Sequence, residues 1–127
     1  MDGSERGRVA LERAAIEAAA HDAVLEVVHA WTFLDQPGPQ FDPHYGEDRA
    51  RERIQAYVTD VLGAEPPVPV TLRLINDHPA PALITAAEGA FTLVVGARGL
   101  GGFKGLVLGS VSRYVVAHAP CATLVVR

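Results

Sequence analysis

The segment between residues 94 and 112, VVGARGLGGFKGLVLGSVS, most constrains what this chain can fold into. An apolar run ends at Gly96, Gly99 follows after two intervening residues, and nine more residues intervene before Gly109 and Ser110. A new apolar periodic segment starts at Ser110, so the pattern predicts a strand, a glycine-rich loop and a helix in succession. In α/β proteins this succession forms phosphate sites, because glycine lets backbone amides approach phosphate oxygens and a helix start offers unpaired N–H groups.

Two common phosphate motifs are absent from this loop. A Walker A loop needs lysine after its last glycine, but Lys104 precedes Gly105. The dinucleotide fingerprint G-x-G-x-x-G fails because Lys104 stands where its third glycine belongs. A hydroxyl at the helix start, such as that of Ser110, can cap the helix or contact a phosphate. The alternative is a tight strand-to-helix connection that binds no ligand.

The rest of the chain alternates predicted helices with predicted buried strands. Helices are expected at about residues 4–22, 47–62, 79–89 and 110–118, and strands at about residues 24–31, 70–75, 91–95 and 122–126. Ser4 is the expected N-cap of the first helix, whose packing face should include Val9, Ile16 and several alanines. This alternation predicts an open parallel, doubly wound α/β sheet with helices on both faces, formed by residues 1–127 as a single domain.

Composition excludes several classes of partner. The net charge is −4, with 15 acidic residues against 11 basic ones, which argues against a nucleic-acid binder that relies on phosphate neutralisation. No apolar run approaches the roughly 20 residues of a membrane span, and the first residues carry no signal-peptide core. Cys121 is the only cysteine, which fits a reducing compartment; we expect it to be buried and inert. The expected location is therefore cytoplasmic.

Residues for metal or acid–base chemistry are sparse. The five histidines show no metal-ligand spacing, and His29, near the end of a buried strand, is expected to be a hydrogen-bonded interior residue. The acidic residues of the 35–48 region are expected to be solvated, namely Asp35, Asp42, Glu47 and Asp48. No general base, nucleophile or carboxylate pair accompanies the glycine loop, so at most slow, incidental hydrolysis of a bound nucleotide is expected.

The spacing G-x2-G-x9-G-S resembles the nucleotide loop of the universal stress protein family, specifically its ATP-binding subgroup. Residues 2–4 (DGS) look like the family's motif at the end of its first strand, and residues 27–31 (VVHAW) look like its second strand. Residues 118–126 are similar to its last helix–strand junction. The resemblance covers nearly the whole chain and is weak only between about residues 32 and 69. It implies a Rossmann-like fold of the adenine nucleotide alpha-hydrolase-like type.

The resemblance also implies a binding site for an adenine nucleotide, with ATP, with or without Mg²⁺, as the ligand. Asp2 would contact adenine or ribose, and the backbone of Ala30 would contact adenine. Arg98 is a cation within reach of the phosphates. The alternative for Arg98 and Lys104 is that both are solvated at the tip of the loop. Ser112 matches a phosphate-facing hydroxyl but taken alone suggests a surface or capping residue. The expected nucleotide-binding residues are Asp2, Ala30, Val95, Gly96, Arg98, Gly99, Gly109, Ser110, Val111 and Ser112.

Two functions follow from the resemblance. The first is a stress-response domain in which the nucleotide is a regulatory ligand and residues 123–126 form the edge of a homodimer. The second is a nucleotide-free dimeric interaction module of the same fold. An enzyme of the alpha-hydrolase group is disfavoured, because no SGGxDS-type pyrophosphatase loop is present.

One strand of the expected sheet has no counterpart. In the family, the residues before the DGS motif form a strand in the middle of a five-stranded sheet of order 3-2-1-4-5, but only Met1 stands there. Losing three or so buried side chains would cost ~1.5–3 kcal/mol each, so an open gap should not persist. Either an upstream strand fills it, or a partner chain does, or the family's second and fourth strands close directly in the order 3-2-4-5.

Overall fold

A computed structural model describes residues 1–34, 36, 40–99 and 107–127. Within these residues helices and strands alternate as predicted, with bounds that agree to within about three residues. The elements are α1 (Glu5–Ala20), β1 (Leu25–Trp31), α2 (Glu47–Leu62), β2 (Val70–Asn76), α3 (Pro79–Ala86), β3 (Thr92–Gly96), α4 (Ser110–His118) and β4 (Ala122–Val126). None of the helices in the described ranges has the length and apolar character needed to cross a membrane. Lys104 and Asp35 lie outside the described residues.

The start of α1 is fixed by the predicted cap. Ser4 adopts an extended conformation, and its side-chain oxygen accepts a hydrogen bond from the Gly7 amide at 3.0 Å. The Ser4 hydroxyl in turn donates to Oδ1 of Asp2 at 2.7 Å. Capping of this kind satisfies one of the orphan amides of the first turn, and here it also ties the chain before the helix to the helix itself.

The four strands form two parallel pairs. In the first, Leu25 lies opposite Val70 and the pairing runs through to the ends of β1 and β2. In the second, Thr92 of β3 lies opposite Ala122 of β4. The helices α1 and α2 pack against each other, as do α3 and α4, which places one pair on each side of the strands. The doubly wound parallel α/β fold is therefore confirmed.

The direct closure of the sheet onto itself, in the order 3-2-4-5, is wrong. Among the described residues no β-ladder joins β1 to β3, and the two sheets remain separate two-stranded units. The physical reason lies in the N-terminal residues, which stand between the two strands. The Met1 amine donates to the carbonyl oxygen of Val28 in β1 at 2.5 Å, while the Asp2 carboxylate contacts Gly99, just beyond the end of β3.

The main core lies between α1, α2 and the β1–β2 sheet. Its buried side chains include Ile54, at 1% exposure, and Val58, both of α2. On α1 the buried face is made of small residues and one leucine, namely Ala10, Leu11, Ala15 and Ala18. The prediction that Ile16 belongs to this face is wrong, since 59% of Ile16 is exposed. It follows Ala15 directly, and adjacent helical residues point about 100° apart. Cys121 is half-buried, not buried as expected.

Close approach of α1 to β3 predicts a destabilising substitution at Gly96. A Cβ built on Gly96 would lie 2.9 Å from the carbonyl oxygen of Arg6 and 3.0 Å from its Cβ. Because backbone would have to shift, Gly96→Ala should lower the free energy of unfolding by about 1–3 kcal/mol, measured by urea denaturation. Gly46→Ala is the matched control, since a Cβ at Gly46 meets nothing within 4 Å. Equal stability of the two variants would contradict this packing.

Candidate functional site

A cavity of about 890 Å³ separates the two sheets. It is flanked by β1 and β3 along their lengths, by residues of α1 and by residues of α3. All ten residues expected to bind nucleotide line this one cavity. The structure therefore brings them together from the N-terminus, β1, β3, the start of the glycine loop and α4. They gather where the strands end, which in a doubly wound sheet is the usual position of a ligand crevice.

The glycine loop is pinned at its base by the backbone of Ala97. The Ala97 amide donates to the carbonyl oxygen of Val126 at 2.7 Å, and the Ala97 carbonyl oxygen accepts the Gly109 amide at 2.7 Å. The Ser112 hydroxyl also donates to that carbonyl oxygen, at 2.8 Å. Both ends of the loop are thus held against the end of β3, although residues 100–106 between them are outside the described ranges.

These bonds change how two of the expected residues must be interpreted. Ser112 is only 3% exposed, so the reading of it as a surface residue is wrong, and its proton is directed to Ala97. The Gly109 amide is likewise engaged inside the protein and cannot also face a phosphate. The amides of Ser110, Val111 and Ser112 precede the first helical bond, which runs from Arg113 N to Gly109 O at 3.0 Å. They carry the positive end of the α4 dipole.

Asp2 is held between the start of α1 and the glycine loop. Its Oδ1 accepts from the Ser4 amide at 3.0 Å and from the Ser4 hydroxyl at 2.7 Å. A Cβ on Gly99 would lie only 2.5 Å from Asp2 Oδ2, so the absence of a side chain at Gly99 is what lets the carboxylate approach the loop. Asp2, which is expected at the adenine or ribose, is therefore in direct contact with the glycine loop, which is expected at the phosphates.

Two titratable groups lie at the site, and one of them, the Met1 amine, was not predicted from the sequence. His29 is 6% exposed, and its Nδ1–H donates to the carbonyl oxygen of Met1 at 2.6 Å, which confirms the interior, hydrogen-bonded role. Burial lowers the pKa of His29 to about 4, despite the opposing effect of that hydrogen bond. Burial also lowers the pKa of the Met1 amine to about 6, and the Arg53 charge acts in the same direction while Asp2 opposes it. Only the tertiary placement of Met1 against β1 reveals this pair.

Arg53 was also missed, because it lies among the charged residues of α2 and carries no motif. It lines the large cavity and a second one of about 180 Å³, which Trp31, Tyr45 and Asp77 also border. Within the part of the chain that the structure describes, no group of three or more His, Cys, Asp or Glu side chains is placed to hold a metal ion. A metal at this site would depend on oxygens of the ligand.

The chain is similar to known proteins over nearly its whole length. The sequence model of the universal stress protein family matches residues 1–127. A universal stress protein of Thermus aquaticus, named for its position 3′ of a QAH/OAS sulfhydrylase gene, is 38% identical over 132 residues, covering 99% of this chain and 93% of the relative. Universal stress protein Rv1996 of Mycobacterium tuberculosis is 35% identical, covering 100% of this chain; the chain spans only 42% of that relative's length.

Among solved structures, a universal stress protein in complex with cAMP superposes with a TM-score of 0.75 at 27% identity. The match covers 100% of this chain and 91% of that protein. The likeness therefore extends over both strand pairs.

The lowered pKa values predict that stability rises with pH between about 4 and 8. His29 changes from 6.5 in the unfolded chain to about 4 in the folded one, and the Met1 amine changes from 8.0 to about 6. In these pH windows the unfolded state binds more protons than the folded state. Each unit by which the pH falls therefore lowers the free energy of unfolding by up to about 1.4 kcal/mol for each group. His29→Asn should reduce the loss of unfolding free energy between pH 6.5 and pH 5, measured by urea denaturation.

The matched control for this prediction is His44→Asn, because His44 is exposed. This variant should retain the pH dependence of the unsubstituted chain. A His29→Asn variant with an undiminished loss between pH 6.5 and pH 5 would contradict the assignment.

Proposed function

This chain belongs to the universal stress protein family, and we propose that it binds an adenine nucleotide, ATP, as a regulatory ligand. The observation that carries the proposal is that all ten expected residues line one cavity between β1 and β3. The nucleotide is assigned to the carboxyl-end part of this cavity, since ligands of doubly wound sheets bind at that end of the strands. A related protein in complex with cAMP supports an adenine nucleotide as the ligand class.

The phosphates are assigned to the start of α4. The amides of Ser110, Val111 and Ser112 and the partial charge of the helix suit an anion, and Arg98 lines the same part of the cavity. Gly109 contributes by its lack of a side chain, since its amide bonds to Ala97. Mg²⁺, if bound, would be held mainly by phosphate oxygens and water.

Adenine and ribose are assigned to the opposite wall, beside Asp2 and Ala30. Both residues line the cavity, and Oδ1 of Asp2 accepts two bonds from Ser4 that fix the position of the carboxylate there. His29 beside them is a weak base, since burial lowers its pKa to about 4. The site therefore suits a ligand that stays bound better than it suits a substrate that is turned over. A ligand that binds only the folded state stabilises that state.

Substitution of Gly109 tests the phosphate position. Gly109 has φ −73, and a Cβ there would meet the Arg98 Cα at 3.5 Å, an ordinary contact. Gly109→Val should therefore fold, yet its side chain would occupy the space needed by a phosphate. Adding 5 mM Mg-ATP should raise the melting temperature of the unsubstituted chain, as a ligand does at a concentration well above its Kd. We expect this rise to be lost in Gly109→Val and kept in Gly46→Val.

Three outcomes contradict the proposal. One is no melting shift with Mg-ATP for the unsubstituted chain, together with no nucleotide released on denaturation and detected by mass spectrometry. Another is an undiminished shift in Gly109→Val, which would place the phosphates elsewhere. The third is multiple turnover above ~1 s⁻¹, which is typical of enzymes. The first outcome would favour the nucleotide-free interaction module.

We further propose a homodimer through β4, in a single cytoplasmic domain formed by residues 1–127. Within the described residues β4 pairs only with β3, and its apolar residues Leu124, Val125 and Val126 are half-exposed. An edge of this kind favours pairing with another strand. Thr123→Lys should shift the chain from dimer to monomer in size-exclusion chromatography with light scattering, because a charge on an edge strand opposes pairing. A monomeric unsubstituted chain would contradict it.

A further inference from the structure

The second cavity, of about 180 Å³, lies where β1 and β2 end. Its lining comes from the last residues of β1, the segment before α2, α2 itself, and the segment between β2 and α3. It shares His29, Ala30, Arg53 and Pro79 with the large cavity. Of the described residues of the glycine loop, none lines it, so it is separate from the position assigned to the phosphates. We call it the small cavity.

A buried hydrogen-bond donor lines the small cavity. Trp31, the last residue of β1 and the single tryptophan of the chain, is half-buried overall. Its indole Nε1 is buried and has no hydrogen-bond partner among the described residues. Nearly all buried polar groups in proteins are paired, because an unpaired one has lost its hydration without compensation. The indole nitrogen can only donate, so the group that satisfies it must present an acceptor.

Two opposite charges also line the small cavity. Arg53 of α2 is half-buried, and Asp77, directly after β2, is exposed. Both lie in the described part of the chain, and no ion pair joins them. Asp77 Oδ1 accepts the His78 amide at 2.7 Å, which fixes the carboxylate at the end of the strand. His29 adds no charge at neutral pH, since burial lowers its pKa to about 4.

The rest of the lining is largely apolar. The rings of Trp31 and Tyr45 meet edge to face with their centroids 6.4 Å apart, and Ala30 and Pro79 lie beside them. Aromatic faces attract an ammonium group as well as apolar groups. A volume of about 180 Å³ corresponds to roughly six water molecules at the ~30 Å³ that each takes in the liquid. The cavity therefore suits a small ligand that carries both charges and a short apolar side chain.

We propose that the small cavity binds a free α-amino acid with a short side chain, as a second ligand of this protein. The carboxylate of the amino acid accepts from the Arg53 guanidinium and from Trp31 Nε1, and its ammonium group lies against the Asp77 carboxylate. Its side chain packs against Tyr45 and Pro79. Hydrogen bonds between charged groups are stronger than those between neutral ones, and only a ligand with both charges uses Arg53 and Asp77 together. The proposal does not depend on the nucleotide.

The single tryptophan gives a direct test. In the ¹H–¹⁵N spectrum of the full chain, the one indole cross-peak should move downfield as L-alanine is added, because Nε1–H gains an acceptor. Propionate lacks the ammonium group of alanine, and ethylamine lacks its carboxylate. We expect saturable binding of one L-alanine per chain, and about tenfold weaker binding of propionate and of ethylamine, since each loses a charge-assisted contact.

Variants at the two charges locate the amino acid. Arg53→Gln and Asp77→Asn should each weaken binding of L-alanine by about tenfold or more, measured by calorimetry. Asp77→Asn keeps an oxygen that can accept the His78 amide, so the turn after β2 should be preserved. Arg51→Gln and Asp48→Asn are the matched controls, because both side chains are exposed on α2 and outside the small cavity. Both controls should bind L-alanine as the unsubstituted chain does.

Removal of the indole N–H is tested separately. Trp31→Phe keeps an aromatic ring beside Tyr45 but has no donor, so it should bind L-alanine more weakly by calorimetry while retaining a cooperative melting transition. Binding as tight as that of the unsubstituted chain would contradict the role of Nε1.

Four results would overturn the proposal. The first is an indole cross-peak that does not move with 50 mM L-alanine, which would leave water as the occupant of the cavity. The second is equal affinity for L-alanine and propionate, and the third is undiminished binding in Arg53→Gln, which would place the amino acid elsewhere. The fourth is a cross-peak that moves with Mg-ATP and not with L-alanine, which would make the small cavity part of the nucleotide site. Failure of the nucleotide proposal is detected with Gly109→Val and leaves the response to L-alanine unchanged.

Discussion

The packing of α1 across both sheets is the constraint on which the rest of this structure depends. No β-ladder connects β1 to β3 among the described residues, so the two halves are held together by helices and not by backbone pairing. α1 contacts β1, β3 and β4, and the approach is so close that Gly96 has no room for a side chain against Arg6. Small residues along the buried face of α1 make that approach feasible.

The position of α1 in turn sets both ends of the cavity. The cap at Ser4 holds Asp2, and Asp2 reaches Gly99 at the start of the glycine loop. On the other side Met1 bonds to β1 through Val28 and His29. The first residues of the chain therefore keep the sheets apart at their carboxyl ends, and Met1, Asp2 and Ser4 line the cavity of the proposed nucleotide site.

The glycine loop illustrates how far a sequence motif can be interpreted. Its spacing predicted the strand, the start of α4 and the glycine and serine positions that line the cavity, whereas Asp2 and Ala30 were expected only from the family resemblance. It could not reveal that Ala97 accepts both the Gly109 amide and the Ser112 hydroxyl, because those bonds depend on how the chain returns to the end of β3. Backbone hydrogen bonds across a loop do not require particular residue types. The tertiary structure is therefore needed to tell which amides remain available to a ligand.

The local and periodic features of the sequence were enough for the order of helices and strands, the Ser4 cap and the parallel α/β class. These depend on apolar periodicity, capping residues and glycine spacing, which act over a few residues. The membership of the candidate site came from the resemblance to the universal stress protein family. The burial of Met1, the position of Arg53 at the cavity and the exposure of Ile16 were decided by tertiary packing. Each depends on contacts between segments far apart in the chain, where the orientation of one helix against two sheets determines which side chains and backbone edges meet.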